Sequence, residues 1–82
     1  MDTALRTQNQ LGAELRRYRK KKKLTQDDLS RLISKRQATI SSLESDGSGT
    51  LETLFAVLSA FDVELVLRAR SRGDQTKLGN IF

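Results

Sequence analysis

The hydrophobic positions at the start of the chain follow the period of an α-helix. Leu11, Leu15 and Tyr18 repeat at the i, i+4, i+7 spacing of one helix face. This pattern predicts a first helix from about Gln8 to Lys22. Thr7 precedes it, and a threonine hydroxyl at that position is a typical N-cap.

Two shorter helical patterns follow, over Thr25–Ile33 and Arg36–Glu44, separated by a tight break. Thr25 with an acid, Asp28, three residues later is typical of a capping box. The apolar positions predicted to face inward are Leu29, Leu32, Ile33, Ile40 and Leu43. Two helices of this length joined by a short turn predict a helix-turn-helix, whose second helix enters the DNA major groove.

A fourth helix is predicted from Thr50, a plausible N-cap, to about Ala60. The stretch before it carries Gly47 and Gly49, which are typical of a turn. Its apolar positions, all assigned to one inward face, are Leu51, Leu54, Phe55, Leu58 and Phe61. We therefore predict that both phenylalanines belong to the core.

The period changes to two after this helix. Apolar and charged residues alternate through residues 63–70, which predicts a half-buried β-strand. No second strand pattern exists in the chain, and an unpaired strand edge is a template for another chain. The simplest expectation is pairing with a second copy in a two-fold dimer, although pairing with a different partner stays open. The residues predicted to dimerise are Val63, Leu65, Val66 and Leu67.

Composition narrows the range of functions. The 82 residues suit one small domain with a net charge of +5 and a pI of about 10.1, which favours a polyanionic partner. Neither cysteine nor histidine is present, so we expect no disulfide, no metal site and no cofactor, and an enzyme is improbable. No apolar run reaches membrane-spanning length, and we expect a cytoplasmic protein associated with the nucleoid.

A run of cations closes the first helix, from Arg16 to Lys23. Two interpretations stay open. The run contacts phosphate groups, or it is a solvated helix end, where cations are favoured by the helix dipole.

The residues of the central stretch resemble the helix-turn-helix of the Cro/CI (XRE) repressor family. The specific parts are Thr25-Gln26-x-x-Leu29-Ser30 and Gln37-Ala38-Thr39-Ile40-Ser41-x-x-Glu44. Together with Thr50-Leu51-Glu52-Thr53-Leu54-Phe55 and the following strand, they resemble the HipB antitoxins. That resemblance implies a mainly α, four-to-five-helix domain with a C-terminal β-strand pairing across a homodimer. It also implies an internal ion pair between Arg19 and Glu44.

Three positions depart from the family pattern. Ser30 stands where a small alanine is usual, and helix packing should tolerate it. Ser34 stands where the turn usually has glycine, so a left-handed backbone there would carry a steric penalty. Lys35 replaces an aliphatic residue, and we expect its stem to lie along the core edge with the amine toward phosphate.

The DNA site is predicted from the chemistry of the second helix of the pair. Its N-terminal residues face base edges, where arginine suits guanine, glutamine suits adenine and an alanine methyl suits thymine. The base-reading residues are predicted to be Arg36, Gln37, Ala38 and Ser41. The phosphate contacts are predicted to be Thr25, Gln26, Lys35, Thr39 and Ser42.

By this resemblance the protein is expected to be an antitoxin. It would bind a palindromic double-stranded operator, repress its own toxin–antitoxin operon and bind a HipA-like serine/threonine kinase toxin. The alternatives are a standalone repressor without a toxin, and a helix-turn-helix module for protein interactions. The expected organisation is a flexible arm (1–7), the DNA-binding domain (8–61), the dimerisation strand (62–70) and a flexible tail (71–82), with Ile81 and Phe82 as a possible toxin contact.

Overall fold

A computed structural model describes residues 3–70 and contains four α-helices in that range. They are α1 (Gln8–Lys21), α2 (Gln26–Ile33), α3 (Gln37–Asp46) and α4 (Leu51–Phe61). The four predicted helices are confirmed, and their predicted ends differ from these bounds by no more than two residues.

Threonine N-caps fix the start of three helices. The hydroxyls of Thr7, Thr25 and Thr50 each accept a hydrogen bond from the backbone N–H three residues later, at 3.0–3.1 Å. At α2 the Asp28 carboxylate returns the bond by accepting from the Thr25 N–H at 2.9 Å, which completes the capping box. All three caps agree with the sequence-based prediction.

The core lies between the four helices. α3 packs against α1 and α2, and α4 packs against α2. Tyr18 of α1 stacks on Phe61 of α4, with ring centroids 6.3 Å apart. The buried hydrophobic residues are Leu15, Leu29, Ile40, Leu43, Leu54, Val57, Leu58 and Phe61.

Three residues predicted to face inward are exposed instead. Phe55, Leu51 and Leu32 expose 51%, 71% and 62% of their surface. In α4 the buried stripe runs through Leu54 and its i+3, i+4 and i+7 neighbours. Phe55 follows Leu54 by one residue, a rotation of about 100° around the helix axis, so its ring leaves that stripe. The assignment of Phe55 to the core is therefore wrong, whereas Phe61 is buried as predicted.

Gly12 allows α1 to approach α3 closely. A Cβ built on Gly12 would lie 2.8 Å from the Glu44 carbonyl oxygen and closer still to that of Leu43. Because these are backbone atoms of a packed helix, a larger residue would push the two helices apart.

Residues 63–70 carry no regular secondary structure. A strand exists only through a ladder of hydrogen bonds with a neighbouring strand, and the described part of one chain contains no such ladder. Val63 packs against the core, while Leu65, Val66 and Leu67 are 51%, 65% and 92% exposed. The strand and the dimer stay predictions, and Ile81 and Phe82 lie outside the described residues. Among residues 3–70, every helix is too short or too polar for a membrane span.

Candidate nucleic-acid interface

A buried carboxylate joins the helix-turn-helix to α1. Glu44 of α3 accepts hydrogen bonds from Arg19 Nε at 2.6 Å and from Arg19 Nη2 at 3.1 Å. Arg19 Nη1 also donates to the Leu24 carbonyl oxygen at 2.7 Å, in the connection to α2. This confirms the ion pair that the family resemblance implied, and it sets the position of α3 relative to α1 and α2.

Gln26 adds a third helix to this network. Its Nε2 donates to Glu44 Oε1 at 3.2 Å, so one carboxylate on α3 contacts side chains from both α1 and α2. The sequence analysis assigned the Gln26 amide to phosphate and did not find this contact. Because a side-chain amide has two N–H donors, one bond to Glu44 leaves one donor for a second acceptor.

The turn between α2 and α3 is left-handed. Ser34 has φ 57° and ψ 44°, and the Lys35 N–H donates to the Ser30 carbonyl oxygen at 2.9 Å. The predicted left-handed backbone at this serine is confirmed, with its steric penalty. The chain then re-enters a helix within three residues, which places the start of α3 at the surface.

The Lys35 side chain forms an ion pair within the protein. Its Nζ lies 2.9 Å from Glu52 Oε1 of α4, and this ammonium lowers the pKa of the Glu52 carboxyl group. A phosphate contact by Lys35 would have to share or replace this exposed ion pair.

The four residues assigned to base reading are all exposed. Arg36 precedes α3 with extended backbone (φ −74°, ψ 148°), and Gln37, Ala38 and Ser41 lie in its first turns. Within residues 3–70, the side chains of Arg36, Gln37 and Ser41 make no hydrogen bond to the protein. A polar helix end with unengaged donors and acceptors is suited to groups outside the molecule.

The residues assigned to phosphate differ in their exposure and in their hydrogen bonds within the protein. Ser42 is exposed and Thr39 is half-buried on α3. The hydroxyl of Thr25 is engaged as the N-cap of α2, which leaves its second lone pair and its O–H for an external group. Of these residues, Gln26 contacts Glu44 directly.

The two acidic residues in the first turn of α2 are paired with an arginine. A carboxylate oxygen of Asp27 and one of Asp28 each lie 3.1 Å from Arg31 Nη2, on α2 itself. The Thr25 N–H, which donates to the Asp28 carboxylate, holds the pKa of that carboxyl group below its ordinary value. No group of three or more acidic residues in the described part of the chain is placed to hold a metal ion.

Comparison with known families decides the class of this fold. A family model described as helix-turn-helix matches residues 15–67, more than half of the chain. The chain belongs to this helix-turn-helix family, of the Cro/CI type. The match includes the Arg19–Glu44 network, both helices of the motif and α4.

Solved structures extend the likeness of this helix-turn-helix protein to HipB. A HipB variant in complex with an O2 20mer matches with a TM-score of 0.78 and 26% identity, over 88% of this chain and 100% of that chain. A HipB-O1-O2 complex matches with a TM-score of 0.75 and 28% identity, over 83% and 100%. A HipA-HipB-O2-O3 complex matches with a TM-score of 0.76 and 26% identity, over 87% and 100%. No curated protein matches the sequence.

Proposed function

We propose that the protein is a sequence-specific DNA-binding repressor that reads its operator with the first turns of α3. The observation that carries this proposal is the exposed, internally unpaired polar end of α3. Arg36, Gln37 and Ser41 present donors and acceptors to solvent, while the rest of α3 is fixed through Ile40, Leu43 and Glu44.

Each residue at that end can recognise the edge of a DNA base. Arg36 suits the O6 and N7 acceptors of guanine, and Gln37 suits adenine N6 and N7 with two hydrogen bonds. Ala38 offers a methyl group to a thymine methyl, and the Ser41 hydroxyl can accept or donate a hydrogen bond. Position and sequence choice are separate tasks, because bonds to phosphate orient the protein without reading sequence. We assign the phosphate contacts, which position the protein, to Thr25, Gln26, Lys35, Thr39 and Ser42.

Two copies would read a palindromic operator. We propose that residues 62–70, through Val63, Leu65, Val66 and Leu67, pair with the same segment of a second copy. The exposure of Leu65, Val66 and Leu67 supports this, because three adjacent large apolar side chains in water favour burial by a partner. A two-fold dimer would then place two α3 helices on successive major grooves, about 34–36 Å apart.

We further propose an antitoxin role, with a HipA-like serine/threonine kinase toxin as the partner. The likeness to a HipB chain found together with HipA supports this proposal. Co-expression with the product of the neighbouring gene tests it. A kinase that co-purifies and loses its growth toxicity is the expected result. A neighbour of another class, with operator binding intact, would indicate a standalone repressor instead.

Gln37→Ala tests the base-reading assignment. We expect it to weaken binding to DNA from upstream of the gene by about 1–3 kcal/mol and to relax the base preference at one position. Ser45→Ala is the matched control, because Ser45 is exposed on the same helix and bonds only to the Ser42 carbonyl oxygen. Lys35→Ala should weaken operator and scrambled duplexes to a similar degree. Equal losses of Gln37→Ala on operator and scrambled DNA would refute the assignment.

A further inference from the structure

A dense group of cations closes α1. Residues 16–23 contain seven lysines and arginines, and no acid stands between Glu14 and Asp27. Three of the seven are engaged within the protein. Arg17 pairs with Glu14, Arg19 pairs with Glu44, and Lys21 lies 5.8 Å from the centroid of the Tyr18 ring.

The other four form what we call the α1 basic cluster: Arg16, Lys20, Lys22 and Lys23. All four are exposed, and none has an acidic partner among residues 3–70. Four unpaired like charges within two turns repel one another, so the cluster raises the energy of the chain unless an anion neutralises it.

Backbone hydrogen bonds hold the end of α1, where this cluster lies, in a defined conformation. The N–H of Lys23 donates to the Lys20 carbonyl oxygen at 2.9 Å, and that of Leu24 donates to the Arg19 carbonyl oxygen at 3.1 Å. Lys23 has φ 61°, a left-handed conformation that glycine adopts at little cost and lysine adopts at a cost of about 1 kcal/mol. A cation therefore occupies a position that backbone conformation alone would give to glycine.

The cluster adjoins the start of α2. Arg16 and Lys22 stand three residues before and after Arg19, which contacts Glu44 of α3, so they border the face of α1 that meets the helix-turn-helix. Lys23 precedes Thr25 by two residues. The cluster therefore reaches the phosphate contact that we assign to Thr25 at the start of α2.

We infer that the α1 basic cluster is a second phosphate-binding surface, which takes the backbone of DNA adjoining the segment read by α3. It supplies affinity and salt dependence without sequence choice. This inference rests on the proposed function. The competing interpretation is that the cations only stabilise the negative end of the α1 dipole, and that role would change stability but not the salt dependence of DNA binding.

The test compares charge-matched double variants. Lys22→Gln with Lys23→Gln, and Arg16→Gln with Lys20→Gln, each lower the net charge from +5 to +3. Arg72→Gln with Lys77→Gln, outside the proposed DNA-binding and dimerisation segments, is the control with the same loss of charge. Binding is measured by fluorescence anisotropy on the upstream DNA and on a random-sequence duplex of the same length, over a range of salt concentrations, with thermal melts of each variant.

We expect each cluster variant to flatten the plot of log K against log salt concentration by up to about 1.8 per protomer on both duplexes, at about 0.9 per lost contact. Over a fourfold rise in salt, the wild-type protein would then lose roughly tenfold more affinity per protomer than the variant. The ratio of affinities for the two duplexes should stay at the wild-type value. The control variant should keep the wild-type slope to within a few tenths.

Unchanged slopes in both cluster variants would overturn the inference, and a lowered melting temperature beside them would assign the cations to the helix dipole. A slope lost equally in the control would also overturn it, because net charge would then explain the effect. These results are distinct from failure of the proposed function. In that case the wild-type protein would bind both duplexes equally, whatever the cluster variants do.

Discussion

Breaking the buried Arg19–Glu44 pair should remove much of the stability of this domain, and an exposed pair on the same helix provides its control. Arg19 Nε lies 2.6 Å from Glu44, and the two side chains are 10% and 4% exposed. Arg17 Nη2 lies 2.5 Å from Glu14, but these side chains are 57% and 16% exposed. The two pairs therefore differ in burial and not in distance.

Arg19→Ala leaves the Glu44 carboxylate buried with only Gln26 as a donor. Removing one member of a buried pair costs about 3–5 kcal/mol, because the remaining charge is uncompensated. Removing one member of an exposed pair costs about 0.2–1 kcal/mol. A domain of 82 residues has a free energy of unfolding of about 4–12 kcal/mol, so we expect Arg19→Ala to remove a large part of it and Arg17→Ala to remove little.

Urea denaturation followed by circular dichroism, at one fixed protein concentration, measures both variants. The double variant Arg19→Met/Glu44→Leu should cost less than the two single substitutions added together, because it leaves no unpaired buried charge. If Arg19→Ala and Arg17→Ala lower the free energy of unfolding by the same amount, the reasoning from burial is wrong.

Two further predictions concern other contacts. Gly12→Ala should lower the free energy of unfolding by about 1–3 kcal/mol, because the new methyl group meets the carbonyl oxygens of α3; Ala13→Ser, at an exposed neighbour, is the control in the same denaturation assay. Asp28 should titrate below its ordinary pKa of about 3.9, because the Thr25 N–H stabilises the carboxylate. Its contribution to stability is then present above that ordinary value and is lost as the pH falls through the lowered one. Carboxyl-carbon NMR of the wild-type protein measures the pKa, and an ordinary value would contradict the capping-box account.

Local chemistry made the helices predictable. Thr7, Thr25 and Thr50 are N-caps because a hydroxyl satisfies an orphan N–H at a helix start, and this depends only on residues within one turn. The left-handed turn at Ser34 was predicted only by resemblance to the family, because nothing local distinguishes this serine from one in a helix.

Contacts between helices were harder to predict. An apolar helix such as α4 offers more than one inward stripe, and packing against the other helices decides that Leu54 turns inward and Phe55 outward. The Gln26–Glu44 and Lys35–Glu52 bonds join residues 18 and 17 positions apart. No spacing rule links such pairs, so the sequence alone did not predict them.

The most direct test of the central claim is the affinity of the wild-type protein for DNA from upstream of its own gene, compared with a scrambled duplex at the same salt concentration. The exposed end of α3 predicts a preference of at least about 1,000-fold for the upstream DNA. Equal affinities for the two duplexes, both falling steeply with salt, would contradict sequence-specific repression and leave a basic protein that binds polyanions without choice.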